Sequence, residues 1–145
     1  MIAPSPTNKI DPTVARGILL GNVAETATKP AYLRFGVPDT SYELHLRAMG
    51  AITALQGKRL LGIVRLSARR IDVTGSGGRF IEPVMGRPRR IQGTILAVRD
   101  GSIIIDAGIP IHCTLTDARQ RAEQFVEGMF VGADVLDGAS IEQRG

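Results

Sequence analysis

The segment 93–115, GTILAVRDGSIIIDAGIPIHCTL, limits the possible folds most strongly. Its runs at 95–98 and 103–105 are β-branched or aliphatic and too short for helices. Asp100-Gly101 between them is typical of a two-residue hairpin, because a type I′ turn needs φ > 0 at both central residues. A third strand is predicted after 108–110. The nearly continuous apolar character of these runs indicates burial on both faces, as in the core of a small β-barrel.

Similar segments occur earlier in the chain, in the same order and at offsets of roughly 70 residues. ARGILLGNV resembles IQGTILAV, AYLRFGVP resembles SIIIDAGIP, YELHL resembles IHCTL, and GKRLLGIV resembles GMFVGADV. The shared order and the matched glycines favour an internal repeat. The alternative is the general likeness of apolar strands to one another.

Each copy contains three strands, a crossover and a further strand. In the first copy, apolar and polar residues alternate along YELHLR, which predicts a half-exposed strand. In the second copy the crossover is predicted to be a helix over 116–125, with Thr116 as cap and Asp117 in the first turn. This arrangement, over about 50 residues of the second copy, resembles OB-fold-like small barrels, which place a helix between the third and fourth strands. The resemblance implies a barrel face that takes oligonucleotides or a peptide. The first copy departs from it because no clear helix follows YELHLR.

We therefore predict an all-β protein of two related small OB-like β-barrel halves in tandem, with one short helix in the second half. Residues 1–13 are expected to be a flexible tail and 142–145 a second tail. The first half covers 14–74, a basic hairpin or linker covers 75–92, and the second half covers 93–141. Whether the halves form separate barrels or one joint barrel stays open.

Composition supports a cytoplasmic globular protein. Hydrophobic residues make up 43% of the 145 residues, but aromatic residues only 4%, so the core must be mainly aliphatic. No run of about 18 apolar residues predicts a membrane span, and the first residues lack the features of a signal peptide. Cys113 is the one cysteine, which excludes an internal disulfide.

The positive charge is concentrated in one part of the chain. Residues 58–90 contain nine cations and two carboxylates, whereas the rest of the chain contains nine cations and twelve carboxylates. Eight of the nine are arginines, whose planar fork suits phosphate and carboxylate. The predicted polyanion-binding residues are Arg65, Arg69, Arg70, Arg79, Arg87, Arg89 and Arg90.

These arginines lead to the first functional hypothesis, a non-enzymatic binding module for nucleic acid or another polyanion. The scarcity of aromatic residues favours salt-sensitive phosphate contacts over base stacking. The alternative is a structural or assembly protein, in which the basic hairpin contacts acidic groups on another subunit of a homo-oligomer. No membrane partner is expected.

A third hypothesis follows from a short resemblance. RLSAR at 65–69 and DVTGSG at 72–77 resemble the RxxxR and D-x-S-x-x-G signatures of PilZ domains, which bind cyclic di-GMP. The resemblance implies that Arg65 and Arg69 hold phosphate while Asp72, Thr74 and Gly77 meet the guanine. In that family a stretch of sheet separates the two motifs, whereas here they nearly touch.

Catalytic and metal sites are not predicted. Ser67, Ser76 and Cys113 have no local motif that would supply a base and an orienting acid. His112 and Cys113 are adjacent on a predicted strand, so their side chains point to opposite faces and do not share one metal ion. His45 has no paired ligand nearby in sequence. We expect no enzymatic activity, no cofactor and no metal.

Overall fold

The structure, a computed structural model, describes residues 11–75 and 77–144. Within these ranges the only helix is a 3-10 turn at Ala122–Gln124, and no helix there is long and apolar enough to cross a bilayer. The strands are β1 (Ala15–Val23), β2 (Tyr32–Gly36), β3 (Glu43–Ala48), β4 (Arg59–Ala68), β5 (Asp72–Val73), β6 (Phe80–Glu82), β7 (Met85–Gly86), β8 (Arg90–Arg99), β9 (Ser102–Asp106), β10 (Pro110–Leu115), β11 (Phe130–Asp134) and β12 (Ser140–Gln143). The predicted all-β class is confirmed.

Five strands close into a small barrel, which we call the first barrel. β1 pairs with β2 and β2 with β3, both antiparallel. β12 then lies between β3 and β4, parallel to β3 and antiparallel to β4. β4 returns to β1, with Ala15 opposite Gly62. The circuit β1–β2–β3–β12–β4 is consistent with an OB-like barrel.

A second circuit, the second ring, has the same kinds of pairing. β8, β9 and β10 are consecutive antiparallel neighbours, and β10 runs parallel to the later part of β4. β11 pairs with β8. Val135, just after β11, forms an antiparallel bridge with Ala68 at the end of β4, and β5 continues along β11. Strand β4 therefore belongs to both circuits.

Each half contributes a strand to the circuit of the other half. The end of β4, from the first half, pairs in parallel with β10 of the second ring. β12, from the second half, pairs in parallel with β3 of the first barrel. The two halves therefore share strands and interlock, rather than forming separate barrels. β12 includes Glu142 and Gln143, so the predicted end of the second half at residue 141 lies inside a strand.

The predicted linker 75–92 is likewise part of the sheet. β6 pairs with β8 of the second ring, while β7 pairs in parallel with β3 of the first barrel. The short segment between these two strands therefore connects the circuits on the outside. It also places the residues that follow β7 beside β3.

The core consists mainly of buried aliphatic side chains with few aromatic ones, as the composition predicts. Two glycines allow neighbouring strands to approach closely, one between β4 and β12 and the other between β8 and β9. A Cβ on Gly62 would lie 2.6 Å from Ile141 Cγ1 on β12. A Cβ on Gly93 would collide with the backbone carbonyl oxygen of Asp106. Neither position has room for a side chain.

The hairpin prediction is confirmed and the helix prediction is wrong. Asp100 and Gly101 have φ of 51° and 78°, as a type I′ turn requires. Of the helix predicted over 116–125, only a 3-10 turn at Ala122–Gln124 forms, and the residues before it form turns and irregular structure. Asp117 accepts hydrogen bonds from the backbone and guanidinium of Arg119, and the Gln120 side chain bonds both backbone groups of Ile71 at 2.7 and 2.8 Å. These contacts hold the segment against the turn after β4.

Candidate functional site

The seven arginines predicted from the sequence do not act as one open basic surface. Five of them pair with carboxylates from different parts of the chain, and most of these pairs are solvent-exposed. The pairs are Arg65–Glu142, Arg70–Asp72, Arg79–Asp106, Arg87–Asp137 and Arg90–Asp134, at 2.8 to 3.2 Å. Arg69 and Arg89 are exposed and have no carboxylate within 4.0 Å among the residues described. Much of the local excess charge is therefore neutralised within the chain.

The residues of the cyclic-dinucleotide hypothesis occupy the region from β4 to the loop after β5. Arg65 and Asp72 have the partners given above, and Arg69 accepts a backbone hydrogen bond from Asp117. Thr74 donates its backbone N–H to Phe130, and Gly77 is exposed with φ of 105°. Ser76 lies outside the described residues, as does the predicted tail up to residue 10.

The histidines and the cysteine lie in three separate environments. Cys113 is fully buried, and burial raises the pKa of its thiol to about 12. His112 Nε2 lies 2.9 Å from the carbonyl oxygen of Thr13, and His45 contacts Glu43. No group of three or more potential metal ligands occurs in the described part of the chain.

A different group of side chains comes together on the outer face of β2 and β3. Along both strands inward and outward residues alternate, as the pattern YELHL predicts for a half-exposed strand. Leu33, Phe35, Leu44 and Leu46 are buried in the core. The outward residues are Tyr32 and Arg34 on β2 and His45 and Arg47 on β3, with Arg34 directly opposite His45.

An aromatic stack lies in this face. The Tyr32 and His45 rings are nearly parallel, with centroids 4.6 Å apart and an interplanar angle of 18°. Glu43, which is only 8% exposed, supports His45 by accepting a hydrogen bond from its Nε2 at 2.8 Å. The same carboxylate accepts from the Arg34 guanidinium at 2.8 and 3.1 Å. The hydrogen bond from Arg34, followed by that from His45, lowers the pKa of Glu43 to about 2. The carboxylate is therefore ionised at neutral pH, and its hydrogen bond to His45 holds the stack in place.

Three connecting segments surround the stack. The loop between β1 and β2 supplies Lys29, whose backbone is held by the Thr26 hydroxyl. The chain after β7 supplies Arg87, and the loop before β12 supplies Asp137, which contacts Arg87 Nη1 at 2.9 and 3.1 Å. That last loop is fixed to β3 by a backbone hydrogen bond to the carbonyl of Ala139.

Two adjoining concavities, of about 80 and 270 Å³, share Tyr32, His45 and Arg87 as lining residues. Both are smaller than the roughly 300–1,000 Å³ of typical enclosed small-molecule sites. The surface therefore suits a flat group laid against the stack. We call this surface the stacking face: Lys29, Tyr32, Arg34, His45, Arg47 and Arg87.

The corresponding face of the second ring is different. On β9 and β10, His112 is opposite Ile104 rather than an arginine, and neither strand contains Tyr, Phe or Trp to stack on its ring. Ile104 is 1% exposed although it lies outside the main core cluster. The N-terminal segment contacts this face through Thr13. Among the described residues, therefore, the stacking face lies on the first barrel and has no counterpart on β9 and β10.

No protein-family model, curated protein or solved structure matches the chain.

Proposed function

We propose that this protein is a non-enzymatic module that binds single-stranded nucleic acid on the stacking face. The observation that carries the proposal is the Tyr32–His45 stack, held by Glu43 and surrounded by the cations of Lys29, Arg34, Arg47 and Arg87. Oligonucleotides bind OB-fold barrels on the face of the second and third strands, together with adjoining loops. The stacking face occupies the equivalent strands.

The chemistry of the face favours single strands. A base stacked on an aromatic side chain contributes about 1–3 kcal/mol, and every base has a π-face, so the contact tolerates many sequences. In a duplex the base faces are already stacked and do not reach a ring on a barrel surface. Lys29 and Arg47, which have no carboxylate within 4.0 Å among the described residues, contact the phosphates, and their contribution falls as salt rises.

The test is fluorescence anisotropy with labelled 12-nucleotide single-stranded RNA, single-stranded DNA and a DNA duplex over a salt series. We expect single strands to bind more tightly than the duplex, with affinity that decreases with salt. Tyr32→Ala should raise Kd by about 5- to 150-fold, which corresponds to the loss of one stacked base.

Tyr32→Phe is the matched control, because it keeps the ring, and its Kd should stay within about twofold of the wild-type value. Equal affinity for duplex and single strands, or an unchanged Kd for Tyr32→Ala, contradicts the proposal.

A further inference from the structure

A second basic concavity lies on the outside of the first barrel, at the junction of β1 and β4. Arg16, Lys58 and Arg59 line it, together with Gly17, Ile18, Pro38 and Gly57, and its volume is about 420 Å³. The antiparallel register explains this grouping, because Ile18 is opposite Arg59 and Arg16 is opposite Leu61. Residues far apart in the sequence thus contribute their charges to one concave surface.

The charges of this concavity are not neutralised locally. In the part of the chain that the structure describes, no carboxylate lies within 4.0 Å of Arg16, Lys58 or Arg59. Most of the arginines predicted from the sequence, in contrast, have such a partner. The nearest acidic residue in sequence to Pro38 is Asp39, which lines the adjoining concavity instead. Three converging cations without a carboxylate attract an anion from solution.

Strand β2 connects this concavity to the stack. Tyr32 is at the start of β2, and Pro38, which lines the concavity, follows two residues after its end. At about 3.3 Å per residue, the two positions are about 20 Å apart. Arg34 lies between them on the outer face, where its guanidinium approaches Gly21. Because Arg34 is paired with Glu43, the unpaired cations lie in two groups, one at each end of β2.

We propose that Arg16, Lys58 and Arg59 form a second phosphate site for the strand whose base stacks on Tyr32. This inference rests on the proposed function and defines its ligand: a single strand that spans both sites, within the roughly 4–16 nucleotides that one OB-fold contacts. A trinucleotide has two adjacent linking phosphates and is too short to reach both ends.

The experiment compares a labelled 12-nucleotide single-stranded DNA with a labelled trinucleotide. The test variant is Arg16→Ala/Arg59→Ala. The control is Arg70→Ala/Arg79→Ala, which removes the same charge from two arginines that already have carboxylate partners. We expect the test variant to weaken 12-nucleotide binding by about 5- to 20-fold and to lower the salt slope by about 1.4, for two lost phosphate contacts. Trinucleotide binding should change by less than about twofold.

Two outcomes overturn the inference: a 12-nucleotide affinity reduced no more than in the control, or an equal loss for both oligonucleotides, which would indicate a general charge effect. Tyr32→Ala separates this failure from that of the proposed function. If Tyr32→Ala weakens binding and the test variant does not, only the second site is wrong. If Tyr32→Ala has no effect on either oligonucleotide, the stacking face itself is wrong. Thermal unfolding by circular dichroism must be the same for all variants.

Discussion

Replacing Ile141 by alanine tests whether β12 holds the first barrel together. Ile141 is four residues from the end of the chain, yet it is fully buried. It lies opposite Val64 on β4 and pairs with Ala48 on β3. A residue in a mobile tail would contribute almost nothing to stability, whereas a residue in the shared core contributes as much as any central one.

The expected loss can be calculated from the atoms removed. Isoleucine to alanine removes three carbons, which at about 0.8 kcal/mol per buried methylene corresponds to about 2.4 kcal/mol of transfer free energy. The cavity that remains adds to this, so the free energy of unfolding should fall by about 3–5 kcal/mol. Urea unfolding followed by far-UV circular dichroism measures it.

Leu55→Ala is the matched control, because it also removes three carbons, but from a side chain that is 70% exposed. Its effect should be below about 0.5 kcal/mol. A loss below about 1 kcal/mol for Ile141→Ala would refute the closure of the first barrel by β12.

Three further predictions concern individual charged or reactive groups. Asp137→Asn releases Arg87 for phosphate and should tighten single-strand binding by about fivefold at low salt, whereas Asp72→Asn should leave it unchanged in the same anisotropy assay. The pKa of Glu43, about 2 when folded against its usual 4.5, means that its stabilising contribution is complete above about pH 4.5 and is lost as pH falls towards 2. Glu43→Gln should therefore flatten the decline of the urea midpoint between pH 5 and pH 3. The Cys113 thiol should react with a thiol reagent only after unfolding, and rapid reaction in the native protein would contradict its burial.

Sequence patterns correctly predicted the turns and strands that depend on interactions between residues close in sequence. Asp100-Gly101 specifies its turn through backbone preferences alone, and β1 covers the whole segment ARGILLGNV that the repeat comparison had indicated. The helix over 116–125 failed for the opposite reason. Its predicted cap, Thr116, instead donates its backbone N–H to the carbonyl of Ala68, and Gln120 bonds to Ile71, which is 49 residues away. Propensity in a short polar segment does not outweigh such contacts.

The candidate site depended on pairings that the sequence does not display. The sequence shows the concentration of arginines, but the carboxylates that pair with these arginines lie up to 77 residues away. Tyr32 and His45 meet only through the register of β2 and β3. Both strands were predicted, and the alternation in YELHL already placed His45 on the outer face. A register argument for this hairpin would therefore have found the stack.

β12 was missed because Ile141 is the one large apolar residue in a short polar segment. Such a segment becomes a strand only when it inserts between β3 and β4. A segment of four residues is too short for its hydrophobic pattern to predict a strand that lies between two strands distant in sequence.

The strands that each half contributes to the other circuit have a consequence for how the molecule unfolds. Removing β12 opens the first barrel between β3 and β4, and removing β4 opens both circuits. The two halves should therefore lose their structure in one cooperative transition. A chain with the first repeat alone would lack β12, and its barrel would stay open between β3 and β4.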